Sequence, residues 1–140
     1  MKAILEKKNE LIDSLTPFED YHDRFSYIID IAKSIPELDP QYKIDSFLVE
    51  GCISQLWIVP SFKNGKCYFK VDSDAVITKG IASILTELYS NDTPNDILNL
   101  EPNFLEEVGI TEHLSYNRRN GLSGVWNKIK SYAELCNQNK

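Results

Sequence analysis

The first chemistry the sequence offers is a cysteine beside a glycine, set inside an apolar run: Ser46-Phe47-Leu48-Val49-Glu50-Gly51-Cys52-Ile53-Ser54-Gln55-Leu56-Trp57-Ile58. Phe47, Leu48 and Val49 on one side are strand formers, as are Leu56, Trp57, Ile58 and Val59 on the other. A glycine within such a run marks a bulge, a turn or a close backbone approach. The pattern predicts Cys52 at the tip of a turn between two strands, with Gly51 permitting a backbone shape that a Cβ would resist. Cysteine is commonly a buried filler, whereas a turn tip presents it. A presented thiol ionises in part and becomes a nucleophile. Thiolates of this kind undergo thiol–disulfide exchange, at rates set by ionisation, leaving group and access.

The other reactive residue types are less well placed. Cys67 alternates with Phe69 and Val71 on the apolar face of a predicted strand, and Cys136 lies with Leu122, Val125, Ile129 and Tyr132 on one face of the last helix. Cys67 reads as core and Cys136 as core or a frayed helix end, and the three cysteines include no close pair of the kind that holds a metal or cluster. A cysteine hydrolase would pair Cys52 with His22 or His113, but no motif supplies an oxyanion hole or an orienting group. His22 lies among Glu19, Asp20, Asp23 and Arg24, as a solvated helix residue would. Asp72, Ser73 and Asp74 precede an apolar helical stripe, where Asp72 or Ser73 can cap and Asp74 can face the helix dipole. Asp74 is also expected close to the Cys52 turn, because its strand ends beside the strand that follows that turn. Arg118 falls in the first turn of a helix capped by Ser115, where the dipole disfavours a cation. That placement suits either an ion pair or a functional contact.

The elements that must position these residues follow from periodicity. Ile4, Leu5, Leu11, Ile12 and Leu15 give an amphipathic helix ending before Pro17. Tyr21, Phe25, Ile28, Ile29 and Ala32 give a second, from about residue 19 to Ser34, stopped by Pro36. Three strands are expected: one entering the Gly51-Cys52 turn, one from Ser54 to Val59, and one from Lys66 to Val71 after an Asn64-Gly65 hairpin signal. Trp57 reads as a core anchor. Ile77, Ile81, Ile84, Leu85 and Leu88 mark a third helix. Thr93 can cap a turn over Pro94–Leu98, residues 101–108 suggest another short helix, and the final helix reaches about Cys136. The fold class is α+β: a small antiparallel three-stranded sheet with helices packed against it, in one domain spanning 1–140.

Composition limits the function classes. The chain has 140 residues, 42% hydrophobic and 26% charged, a globular balance. With 21 acidic and 15 basic residues its net charge is −6, which disfavours nonspecific nucleic-acid binding. No apolar run is long enough to span a bilayer. The first residues, Met1-Lys2-Ala3-Ile4-Leu5-Glu6-Lys7-Lys8, carry charge where a signal peptide needs its apolar region, so a cytoplasmic location is expected.

Three blocks in register resemble the SufE family of sulfur-acceptor proteins. They are Val49-Glu50-Gly51-Cys52-Ile53-Ser54-Gln55-Leu56-Trp57; Asp72-Ser73-Asp74-Ala75 running into Lys79-Gly80; and His113-Leu114-Ser115 with Arg118, Asn120, Gly121 and Leu122. Tyr116 and Asn117 depart from the Pro and Ser usual in the last block. The resemblance covers nearly the whole chain and implies a SufE/IscU-like fold. It implies Cys52 as the acceptor, with Gly51, Gln55, Asp74 and Arg118 supporting the loop or meeting a partner. It further implies sulfur received from a SufS-like, pyridoxal-phosphate cysteine desulfurase, activation of that enzyme, and delivery to iron–sulfur assembly on a SufBCD-like scaffold. The pyridoxal phosphate would belong to the partner; no cofactor or metal is expected on this chain, and a homodimer is compatible. A paralogue serving another sulfur-transfer pathway, and a noncatalytic interaction module, are the alternatives.

Overall fold

A computed structural model describes residues 2–15, 21–49, 55–102 and 116–138. Helix α1 (Lys2–Leu15) and helix α2 (Tyr21–Ser34) are followed by two 3-10 turns, Pro40–Tyr42 and Asp45–Phe47. A hairpin of β1 (Leu56–Lys63) and β2 (Lys66–Ser73) comes next, then α3 (Val76–Tyr89), the short α4 (Pro94–Leu98) and the long α5 (Tyr116–Gln138).

The hairpin turn is the one the sequence signals. Asn64 and Gly65 both take positive φ, 54° and 79°, and join Lys63 to Lys66 with no intervening residue. This is the two-residue turn whose twist matches that of the strands. Hydrogen-bonded pairs then recur in twos along the antiparallel ladder, so Pro60 opposite Phe69 occupies a position where no N–H is required. Strand β1 therefore runs through Pro60 to Lys63, beyond the Val59 end expected from the sequence.

Among the described residues the sheet has two strands rather than the three expected. The segment ahead of the Gly51-Cys52 stretch is extended only briefly, with Leu48 bridging Trp57 and the Val49 N–H donating to Leu56 O at 2.8 Å. Asp45 and Ser46 explain the shortfall. Such residues favour turns, and here Asp45–Phe47 coils into 3-10 geometry.

Helix α3 is the centre of the fold. Its residues Thr78 to Thr86 are all buried, as are Leu88 and Tyr89, because α2 and α5 pack on it while the sheet covers another side. Against α2 the approach needs a glycine: a Cβ on Gly80 would lie 2.5 Å from Ile28 Cγ2. The core gathers Ile4, Ile28, Leu56, Ile58, Val71, Leu85, Val125 and Ile129, with Cys67 and Cys136 among them. Tyr89 is fully buried; its hydroxyl donates to Leu100 O, and its ring lies 5.0 Å from that of Trp126.

The start of α3 departs from expectation. Its N-cap is Ala75, which has no capping side chain. Ser73 Oγ accepts from Ala75 N–H one step earlier, Asp74 precedes the helix, and Asp72 turns inward. By contrast Thr93 caps α4 as its sequence suggests, its Oγ1 accepting from Asp96 N–H. The short helix expected over 101–108 falls largely outside the described residues, as does Ser115.

Candidate functional site

Gly51 and Cys52 lie in 50–54, outside the described residues. What the structure defines is the frame on either side of them. On the near side, Leu48 and Val49 pair back onto Trp57 and Leu56, so the chain leaves and returns at one place. On the far side, Gln55 is tied to the end of β2. Asp74 Oδ1 accepts the Gln55 N–H at 3.0 Å, while Gln55 O accepts Ser73 Oγ–H at 2.6 Å and Asp74 N–H at 3.2 Å. The five intervening positions, 50–54, are thus bounded at both ends by residues whose backbone is hydrogen-bonded.

Beneath this frame sits a charge cluster. Trp57 and Asp72 are opposite each other in the ladder and so share a face of the sheet. Asp72 is 2% exposed. Its carboxylate accepts N–H groups from Leu38 at 3.0 Å and Ser73 at 2.8 Å, and pairs with Lys79 at 3.2 Å and Lys43 at 3.4 Å. Lys43 Nζ also lies 5.5 Å from the centroid of the Trp57 ring, within cation–π range. Burial pulls the Asp72 carboxyl upward, but the two backbone N–H groups and Lys79 outweigh it and hold the group below the usual carboxylate range. A buried lysine is tolerated at Lys79 because its charge is met. The cluster joins the segment after α2, the end of β2 and α3 at one point.

The sequence, which offers Asp72 or Ser73 as a cap, does not reveal this network. The available signal was Lys79, a charged residue on a helix whose other inward positions are apolar or small. Of the predicted site residues, the structure brings Gln55 and Asp74 into direct contact. Arg118 lies in the first turn of α5, with its side chain outside the described residues, as is that of His22; His113 lies in an undescribed segment. Along the sheet from Trp57, an apolar cavity of about 250 Å³ is lined by Phe47, Ile58, Pro60, Phe69, Tyr132 and Leu135, among others. Among the described residues no group of three or more His, Cys, Asp or Glu could hold a metal ion, and no helix is long and apolar enough to cross a membrane.

The Gln55–Asp74 tie makes a measurable expectation. Asp74→Ala removes an acceptor worth about 1 kcal/mol, so the frame should open more often and Cys52 alkylation should quicken about fivefold. Iodoacetamide labelling followed by mass spectrometry reads the rate. An unchanged rate in a folded variant would reduce Asp74 to a local backbone tie.

Comparison with known proteins adds a family. A family model described as "SufE: Fe-S metabolism associated domain" matches residues 9–133. An uncharacterized SufE-like protein of Rhizobium meliloti is 30% identical over 131 residues, covering 90% of this chain and 94% of that protein. Another, from Rhizobium etli, is 31% identical over 139 residues, covering 96% and 94%. Among solved structures, the solution structure of a hypothetical protein from Thermus thermophilus superposes with a TM-score of 0.77 at 17% identity, over 94% of this chain and 96% of that one. At that identity the likeness speaks to fold alone.

Proposed function

The chain belongs to the SufE family, and from that premise we propose that it is a sulfur acceptor and activator for a pyridoxal-phosphate cysteine desulfurase. Cys52 receives the sulfur as a persulfide and passes it toward iron–sulfur cluster assembly in the cytoplasm. The desulfurase is SufS-like and the recipient is a SufBCD-like scaffold. The pyridoxal phosphate stays with the desulfurase, where it frees the sulfur from cysteine.

The observation that carries this reading is the frame around Cys52: the Gly51-Cys52 stretch is spanned by the Val49–Leu56 and Gln55–Asp74 hydrogen bonds. A frame of this kind keeps the rest of the sheet folded while the residues between its ends meet another protein. The step itself needs no oxidant. Cys52 thiolate attacks the outer sulfur of the donor persulfide, a new S–S bond forms as the old one breaks, and the donor departs as a thiolate. Delivery repeats the exchange with Cys52 as the leaving group. The thiol that starts the reaction must be ionised and accessible, which separates Cys52 from Cys67, whose burial pushes it up to about 12.

Arg118 is assigned to partner contact in this reading, because a cation at the positive end of α5 is otherwise unfavourable. The experiment is desulfurase turnover of cysteine, with sulfide or labelled sulfur measured in the presence of this protein. Arg118→Ala should reduce the stimulation about fivefold, the size of a contact worth ~1 kcal/mol, and Arg119→Ala should change it little. Equal small effects would return Arg118 to surface charge. No stimulation and no sulfur transfer by the unaltered protein would favour a noncatalytic interaction module.

A further inference from the structure

Two thiols that the sulfur-transfer reading does not use lie together inside the fold. Cys67, the second residue of β2, is fully buried, and Cys136, in the last turn of α5, is 9% exposed. Phe69, next but one to Cys67 on the same face of β2, meets the ring of Tyr132, one turn before Cys136 on α5, edge-on with centroids 6.0 Å apart, and this packing sets the two thiols close enough to interact. Both are free cysteines. The two come from elements far apart in the sequence, and both belong to the one core cluster. On the Cys67 side the backbone is fixed: its N–H donates to Asp92 O at 2.8 Å and its carbonyl accepts from Asn91 N–H at 2.7 Å. On the Cys136 side it is two residues from the end of a helix, where frayed ends yield most readily.

We propose that Cys67 and Cys136 form an oxidative modification site, closing to an intramolecular disulfide that staples the end of α5 to β2 when the protein meets hydrogen peroxide. Cys136, nearer the surface, reacts first. Its thiolate attacks one peroxide oxygen, the O–O bond breaks, and the departing hydroxide takes a proton and leaves as water. The resulting sulfenic acid is then attacked by the Cys67 sulfur: the S–S bond forms, the S–O bond breaks, and the thiol proton leaves with the oxygen as a second water. Two thiols are oxidised to one disulfide and one peroxide is reduced to two waters. Burial, which holds the Cys67 thiol up at about 12, makes the unaided pair slow to react. Once Cys136 is oxidised, an adjacent thiol intercepts it before further oxygen is added. The reaction uses no atom of Cys52.

The test uses the full chain carrying Cys52→Ser, so that the only thiols are the pair in question. After peroxide treatment, the protein is unfolded, alkylated and weighed. The expected product has lost two hydrogens, takes up no alkylating agent, and yields a cross-linked peptide containing Cys67 and Cys136. Its Tm should rise about 5–10 °C, because the closed loop is long, and should fall back on reduction. Adding Cys136→Ser should abolish the mass loss and the shift together. Two alkylatable thiols after treatment, oxygen added to Cys136 without a cross-link, or a disulfide between two molecules would each overturn the proposal.

Discussion

Replacing Asp72 by alanine should destabilise the fold by about 3–5 kcal/mol, the range for removing one partner from a buried ion pair. The reason is what the carboxylate leaves behind. Lys79, with a side chain only 11% exposed, would keep its charge without its partner, and the Leu38 N–H would lose its acceptor. Lys43 is better hydrated and contributes less. Asp72→Asn keeps an acceptor for Leu38 but not the charge, so it should cost less. Combining Asp72→Asn with Lys79→Met should recover part of the loss, since an apolar side chain then replaces an unmet cation. Urea unfolding monitored by circular dichroism gives the values, and a cost for Asp72→Ala below about 1 kcal/mol would show that the cluster is not a structural tie.

The same carboxyl predicts a pH dependence with a definite sign. Its folded pKa is held below the usual range, burial being outweighed by the backbone N–H groups and Lys79. Its contribution is therefore fully present above the unfolded value of about 3.9 and is lost as pH falls through the lower folded value. The gap between the unaltered protein and Asp72→Asn should be constant near neutrality and close below about pH 4. Asp92 acts oppositely. Burial raises its carboxyl despite Lys7, so its cost at neutral pH is relieved on acidification. Because Asp92 is unaltered in both proteins, comparing the two removes that term.

Asp72 also shows where a sequence stops being informative. An aspartate and a serine ahead of an apolar helix look like a cap, and the capping rule is local. Yet Asp72 belongs to β2, opposite Trp57, and its face is covered by Leu38 and Lys43, from a segment about thirty positions earlier. No local pattern contains that contact. The third strand, which the described residues do not show, has a similar origin. Phe47-Leu48-Val49 has strand composition, but the preceding Asp45-Ser46 bends the chain, leaving Leu48 and Val49 as its extended remnant. What was legible was either periodic or chemically specific. The Asn64-Gly65 turn, the α3 stripe and the Thr93 cap each follow from a residue requirement within a few positions. Cys67 and Cys136 were legible as core because each shares a period with apolar neighbours, but periodicity within two separate elements gave no sign that the thiols would lie close enough to interact. At the candidate site, Asp74 was expected close to the Cys52 turn because β2 ends beside β1; that turn lies outside the described residues, and the register accounts for the Gln55–Asp74 hydrogen bond.

The largest functional effect is expected from Cys52→Ser. The exchange reaction requires a sulfur nucleophile, and a serine hydroxyl cannot carry a sulfane sulfur, so both sulfur acceptance and desulfurase activation should disappear. The fold should survive: the closest described anchors, Val49–Leu56 and Gln55–Asp74, use backbone and Asp74 atoms and none from residue 52. Cys67→Ala should show the inverse, with transfer retained and stability reduced by about 1 kcal/mol for a small buried group. The decisive measurement is the intact mass and peptide map of each protein after incubation with desulfurase and cysteine. The account predicts one or more sulfur atoms added to the unaltered protein and to Cys67→Ala, mapping to Cys52, and none on Cys52→Ser. Sulfur added to Cys52→Ser at the unaltered level, or a persulfide mapping to Cys67 or Cys136, would contradict it.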